Sequence, residues 1–334
     1  MRIGVAGLGG MGIVHARNAL AAPGATLVAV ASTRAANAHE VAGELGVRAA
    51  SYDELFAADD IDGIVVAARS IDHARVACDV LRSGKHLFLE KPGATTLAGH
   101  DTLLAEAAAR PSQVVQVGYH RRYDAGFVEA QRLVANGAIG QPLLVMEISR
   151  DVLTPEPEDP GPAGGFLVDM ASHDYDAACW LLDQEPVDAV AVRQSTVYPE
   201  LDALGDLDNA VVTIRFAGGG IATTHVSRTC AFGHDVRCEV VGSEGSILIG
   251  NAASREGVIV LTGGDKPSFA QDYRELFADA YRAELAAFVA ACSDDGPRGP
   301  SLADDRHAVA VGVAARASAV DGVARAVGTD WPWP

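Results

Sequence analysis

The stretch Arg2–Leu20, "RIGVAGLGGMGIVHARNAL", opens as a short apolar run, breaks at Gly7 and continues in a helical pattern. Gly7, Gly9 and Gly12 form G-x-G-x-x-G between the run and the helix, and that context gives the motif its meaning. A glycine at 7 permits a tight turn, one at 9 lets the backbone approach a pyrophosphate, and one at 12 lets helix and strand pack closely. The helix N-terminus then presents free N–H groups to phosphates.

The pattern repeats outward. "ATLVAVAST" (25–33) reads as a second strand, and further strands follow at 63–68, 86–89 and in "SQVVQVGYH" (112–120), with helical segments between them. Strands alternating with helices of about 10–15 residues imply a parallel, doubly wound sheet. From Pro142 the pattern changes to strands at "PLLVMEISR", "VDAVAVRQSTV", "NAVVTIRF", "GIATTHVSR", "VRCEVVG" and "SILIG", broken by Gly or Pro turns. This predicts an α/β chain with a Rossmann domain over 1–120. A second α+β domain over 121–334 carries a large, mostly antiparallel sheet, with helices at about 271–292 and 302–327. "TPEPEDPGPAGG" (154–165) reads as a loop at the rim of a cleft. Helices can cover one face of the second sheet, so the other is expected against another subunit, in a homodimer or homotetramer.

The end of the second strand bears on the cofactor. An NAD site usually carries Asp or Glu there for the ribose 2′-hydroxyl. Here the residues are Ala31-Ser32-Thr33-Arg34, two hydroxyls and a guanidinium suited to a 2′-phosphate. The expectation is NAD(P), leaning to NADP(H).

Bulk properties exclude several classes. The 334-residue chain is 49% hydrophobic and 21% charged, with a formal net charge of −18. That acidity argues against nucleic acid and anionic membrane surfaces as partners. Five cysteines without C-x-x-C spacing predict free thiols in a reducing, cytoplasmic setting, with neither a disulfide framework nor a metal site. The N-terminus does not read as a secretory signal, and no window of 18 apolar residues predicts a membrane span.

Two segments carry chemistry. "HLFLEKPGATT" places Lys91 at the carboxyl end of a buried strand, where open α/β sheets bind ligands, and Pro92 restricts its backbone. "GGFLVDMASHDYDAACWLL" (164–182) reads as a helix with four ionisable groups among residues suited to burial. Its Asp169 and His173, four apart, would share one helix face. His173 can accept a proton near neutral pH and Asp169 can orient the imidazole. Asp174 is suited to backbone N–H groups, and Asp176 to water or a neighbouring subunit.

Gly7-x-Gly9-x-x-Gly12, Glu90-Lys91-Pro92 and Asp169-x-x-x-His173, in this order, resemble the Gfo/Idh/MocA oxidoreductases over essentially the whole chain. Within that family the likeness is to inositol 2-dehydrogenases. It is carried by "QVGYHRRYDAGF" (116–127), the segment 164–182, "LGDLDNAVVTIRFAGGGIATTHVSR" (204–228) and "VRCEVVGSEGSI" (236–247). The resemblance implies hydride transfer between nicotinamide and a secondary hydroxyl of a cyclitol or pyranose sugar, with Lys91, Asp169 and His173 catalytic. His173 would be the general acid/base, Lys91 the hydroxyl-binding donor and Asp169 the binding or orienting carboxylate. It places the cofactor against Gly7, Gly9, Gly10, Met11, Gly12, Ser32, Thr33, Arg34, Ala68, Arg69, His73, Glu90 and Lys91. The substrate would meet Lys91, Tyr119, Arg121, Arg122, Asp151, Asp169, His173, His234 and Tyr281. One of Arg121 and Arg122 is expected in the site and the other on an acidic neighbour. Phe232-Gly233-His234-Asp235 departs from the family, which tends to carry tyrosine where His234 stands, and this leaves the polyol open. The rival readings are a ketoreductase of nucleotide-sugar or aminosugar intermediates and a catalytically inactive NAD(P)-sensing regulator.

Overall fold

The structure is a computed structural model that describes residues 1–152, 164–250, 270–294 and 298–332. The loop expected over 154–165 falls, for residues 154–163, outside the described residues. The chain divides into two compact units, one of residues 1–123 and 279–306, the other of 124–278 and 307–334. A single boundary at 120 does not contain the return of residues 279–306 to the first unit.

In the first unit, strands and helices alternate as β1 (Arg2–Ala6), α1 (Gly10–Ala21), β2 (Thr26–Ala31), α2 (Ala35–Leu45), β3 (Arg48–Ala50) and α3 (Tyr52–Ala57). They continue as β4 (Gly63–Val66), α4 (His73–Arg82), β5 (His86–Leu89), α5 (Leu97–Ala108) and β6 (Val115–Val117). The six strands are parallel, in the order β3-β2-β1-β4-β5-β6. The order reverses between β1 and β4, which is where such sheets open a crevice for ligands. Strand β4, "GIVV", is buried at every position, the mark of a parallel strand covered on both faces. Ile3 and Val5 of β1 and Phe88 of β5 pack with Ala16 and Ala19 of α1 and with Leu285, Phe288 and Val289 from the returning segment.

The glycines of the opening motif do distinct work. Gly7 has φ +103°, and a Cβ there would lie 2.3 Å from the Ala67 carbonyl oxygen. A Cβ at Gly12 would lie 1.9 Å from the Gly7 carbonyl oxygen. A Cβ at Gly9 would meet nothing within 4 Å, so that position opens onto free space.

The second unit begins with α6 (Ala125–Ala135) and β7 (Pro142–Val152), then α7 (Phe166–Asp169) and α8 (Ser172–Leu182). Strands β8 (Pro186–Gln194), β9 (Asn209–Phe216), β10 (Ile221–Cys230), β11 (Asp235–Gly242) and β12 (Ser246–Ile249) follow, then α9 (Tyr273–Leu276). Helices α10 (Ala278–Asp294) and α11 (Leu302–Ser318) and the short β13 (Arg325–Ala326) end the described chain. The sheet order is β12-β11-β7-β10-β9-β8-β13. It is mostly antiparallel, but β7 and β10 run parallel, with Met146 opposite Thr223. Alternation sorts the faces: Val145, Glu147 and Ser149 of β7 are buried, whereas Met146, Val211 of β9 and Val192 of β8 are exposed. The exposed side thus carries apolar side chains, with Val192 opposite Val211 across the ladder, beside the Asp188–Arg215 ion pair.

Three helical expectations need correction. Residues 164–182 form two helices rather than one, because the Ser172 hydroxyl donates to the Asp169 carbonyl at 2.7 Å and Ala171 relaxes to ψ −8°. The helix expected near 271–292 breaks at Phe277. The last helix stops at Ser318, where Gly322 at φ +73° turns the chain toward β13. Asp176, expected toward water or a neighbouring subunit, is 1% exposed within the chain itself, because α8 packs against both β7 and α6.

Candidate active site

At the carboxyl ends of β1 and β2 lies a cleft of about 510 Å³, lined by Gly7, Leu8, Gly9, Ser32, Thr33, Arg34, Asn37, Tyr52, Ala67, Ala68, Arg69, Asp72 and Arg75. Helix α1 starts here with Gly9 as its N-cap and no side-chain cap. The N–H groups of Gly10, Met11 and Gly12 therefore have no intrahelical partner and suit an anion. Together with the open space at Gly9, these residues fit a dinucleotide. Asn37 donates to the Leu8 carbonyl at 3.2 Å and steadies the loop. Asp72 is the lining carboxylate, and it is paired with Arg69 at 2.9 Å and Arg75 at 3.7 Å. Arg34 is exposed and, among the described residues, has no ion-pair partner.

Lys91 leaves β5 in a loop tied on both sides. The Glu90 N–H donates to the Val66 carbonyl at 2.9 Å. The Glu90 carboxylate meets His15 Nε2 at 2.5 Å and accepts from the Lys91 N–H at 3.2 Å. The Lys91–Pro92 peptide is cis. Beyond it, Gly93 donates its N–H to Asp305 at 2.8 Å, and the Tyr119 hydroxyl donates to the other oxygen of that carboxylate at 2.7 Å. His73 sets Nδ1 2.8 Å from the Pro92 carbonyl and Nε2 3.0 Å from that of Ala68. The side chains of Glu90, His73 and Tyr119 thus face inward and are engaged within the unit, while Lys91 is half-buried.

Other expected residues of this unit divide clearly. Arg122 pairs with Asp304 at 3.0 Å, whereas Arg121 is 4% exposed. Tyr281 is buried, with its ring 4.7 Å from that of His120. Burial first, then Arg121, Lys91 and His15, hold the His120 imidazole well below its usual range.

In the second unit, Asp169 ends α7 and His173 lies in the first turn of α8, both half-buried. Asp174 accepts a 2.5 Å hydrogen bond from Ser149 of β7, a side chain where backbone N–H partners were expected. Two residues far apart in sequence are brought together: His234 Nδ1 is 3.0 Å from an Asp151 carboxylate oxygen. The neighbouring Arg150 reaches Asp235 at 3.1 Å.

Asn37, Tyr52 and Arg75 line the cleft without having stood out in the sequence; His15 and Asp305 support the lysine loop unannounced, and Glu284 lies close to His15 and Glu90. His15 could have been noticed, as it sits three residues past Gly12 on a helix that reads as buried. Glu284 and Asp305 carry no local signal, since each lies far along the chain from the residues it meets, 168 residues for Glu284 and Gln116 and 212 for Asp305 and Gly93, in an ordinary helical pattern.

Residues 1–119 match the signature described as "Oxidoreductase family, NAD-binding Rossmann fold", and residues 127–248 match the GFO/IDH/MocA C-terminal domain. The chain is 33% identical to a myo-inositol 2-dehydrogenase of Thermotoga maritima over 95% of its own length and 96% of that protein's. It is also 33% identical to a scyllo-inositol 2-dehydrogenase (NAD(+)) of Bacillus subtilis, over 86% of this chain and 85% of that one. The crystal structure of scyllo-inositol dehydrogenase from Lactobacillus casei with bound NAD(H) and scyllo-inositol has 26% identity and a TM-score of 0.88. That likeness covers 98% of this chain and 99% of that one. With both family domains present and relatives spanning nearly its full length, the chain belongs to the GFO/IDH/MocA oxidoreductase family.

Proposed function

We propose that this chain is an NAD(P)-dependent dehydrogenase that oxidises a secondary hydroxyl of a cyclitol, in the manner of an inositol 2-dehydrogenase. The observation that carries the reading is a lysine pinned at the carboxyl end of β5, in the unit that also holds the dinucleotide cleft. The full-length likeness to inositol dehydrogenases supports it.

In this reading Lys91, Asp169 and His173 meet at one substrate hydroxyl. The nicotinamide, when bound, accepts the hydride. His173 takes the hydroxyl proton as the carbon gives up hydride, Lys91 donates a hydrogen bond to the same oxygen, and Asp169 orients the imidazole. Glu90, His73 and Tyr119 serve the site by fixing the lysine loop. Arg122 is the arginine on an acidic neighbour, Asp304, and Arg121, whose field reaches His120 together with that of Lys91, is the one proposed for the substrate. The Asp151–His234 pair offers an acceptor and a donor to ring hydroxyls. A wrong epimer would leave such polar groups without their hydroxyl partners, which is how a polyol site discriminates.

The cofactor proposed is NADP(H) over NAD(H), supported by Ser32, Thr33 and Arg34 at the cleft and by the absence of a carboxylate at the tip of β2. The exposed apolar surface of the second sheet, with Val192, Val211 and Met146, supports a dimer or tetramer through that surface. Five cysteines, none in a disulfide among the described residues, support a reducing, cytoplasmic setting.

A panel of inositol isomers and pyranoses, followed by nicotinamide absorbance with both cofactors, tests the activity; no turnover on any cyclitol would refute it. His173→Ala should lower kcat by roughly 10²-fold or more, the scale of a lost acid/base, with the cofactor KM unchanged. Near-normal turnover in that variant removes His173 from the mechanism. Arg34→Ala should cut kcat/KM for NADP by about 10- to 100-fold, as expected for a lost charge-assisted hydrogen bond of about 1.5–3 kcal/mol, and leave NAD use little changed. Equal loss with both cofactors contradicts the NADP preference. Light scattering should give a dimer or tetramer that Val192→Lys dissociates, whereas a wild-type monomer ends the assembly proposal.

A further inference from the structure

The lysine loop rests on a buried cluster that the proposed reaction does not use. His15 of α1, Glu90 at the end of β5 and Glu284 of α10 bring one side-chain nitrogen or oxygen each to within 4.8 Å of the others. His15 and Glu284 are fully buried and Glu90 is 6% exposed. Glu90 is committed to His15 and to the Lys91 amide. Among the described residues, neither Glu284 oxygen has a hydrogen-bonding partner, nor does His15 Nδ1.

Two carboxylates this close and away from water do not both ionise. The one that keeps its charge is the one already hydrogen-bonded to an imidazole and an amide. A metal fits the cluster poorly. Ligands at about 2.0–2.2 Å from a tetrahedral ion stand roughly 3.3 Å apart, whereas His15 and Glu90 are in direct contact at 2.5 Å.

The surroundings agree. Gln116 of β6 donates its amide to the Glu284 backbone carbonyl at 2.8 Å and brings no charge. Tyr281, one turn before Glu284, lies between the rings of His15 at 6.4 Å and His120 at 4.7 Å. Lys91 and Arg121 are the positive side chains whose fields reach His120.

We propose that Glu284 is a neutral carboxylic acid and that Glu284 and His15 are positioning residues. They hold Glu90 as the cluster's single carboxylate charge and, through it, fix the Lys91 backbone. Burial, then the charge of Glu90, push the Glu284 carboxyl well above the ordinary range, which supports the assignment. The sign of the pH effect follows. The unfolded chain releases this proton above about pH 4.3 while the folded chain keeps it, so stability falls as pH rises beyond that value.

The test uses the whole enzyme with Glu284→Gln and Glu284→Asp. Without ligands, the infrared spectrum should lose the carbonyl stretch of a protonated carboxylic acid in E284Q, and the fall of Tm with rising pH should become shallower. Both readouts are independent of the dehydrogenase reading. The activity arm rests on that reading: E284Q should keep more kcat than E284D, which should lose roughly tenfold or more, since misplacements of about 1 Å can cost ~10²-fold. No loss of an acid band, an unchanged pH slope, or E284D outperforming E284Q would overturn the proposal. Failure of E284Q to fold would do so too, because a neutral isostere of a neutral acid preserves both shape and charge.

Discussion

The site depends on the fixing of one loop. Lys91 stands where β5 ends, and a flexible lysine there would present its ammonium over a wide arc. The structure removes that freedom at the backbone on either side of the residue. Glu90 is held by His15 and hydrogen-bonds the Lys91 amide, Gly93 is held by Asp305, and His73 meets the Pro92 carbonyl. Positioning is a large part of what an enzyme adds to hydride chemistry, because entropy spent in folding need not be spent again in the transition state. It also explains why so many polar side chains are buried around an otherwise apolar strand.

That arrangement has an energetic cost. Burying Asp305, His15, Glu90 and Glu284 removes four ionisable groups from water, and each is a liability unless paired or neutral. Asp305 meets the condition by accepting from both Tyr119 and Gly93, and Glu90 by accepting from His15 and Lys91. Among the described residues Glu284 has no such partners, and it meets the condition by staying protonated. Segment 279–306 is therefore more than a cover for the Rossmann sheet: its Phe288 and Leu285 join the core, Asp305 holds the Lys91 loop through Gly93, and Glu284 is the proposed brace behind Glu90.

Much of this was legible in the sequence because it is written in local periods. The alternation of strands and helices from β1 to β6 and the glycine spacing at 7, 9 and 12 report constraints between near neighbours. The Rossmann order and the cleft at Ser32-Thr33-Arg34 follow from them. What escaped is non-local or turns on a single hydroxyl. Ser172 interrupts a helix whose pattern looked continuous, and the parallel pairing of β7 with β10 depends on partners about 77 residues apart. Glu90, His73 and Tyr119 were legible as polar residues near a ligand site, but the pattern could not show that their side chains turn inward. His234 and Asp151 were each singled out, yet nothing in the sequence announced that they touch.

The most direct measurement is a crystal structure of the enzyme with NADPH and an inositol bound. The account predicts Lys91 Nζ and the His173 imidazole within hydrogen-bonding reach, about 2.6–3.2 Å, of one and the same substrate hydroxyl, whose carbon faces the nicotinamide. A complex in which the two side chains contact different hydroxyls, or in which either points away from the ring, would contradict it.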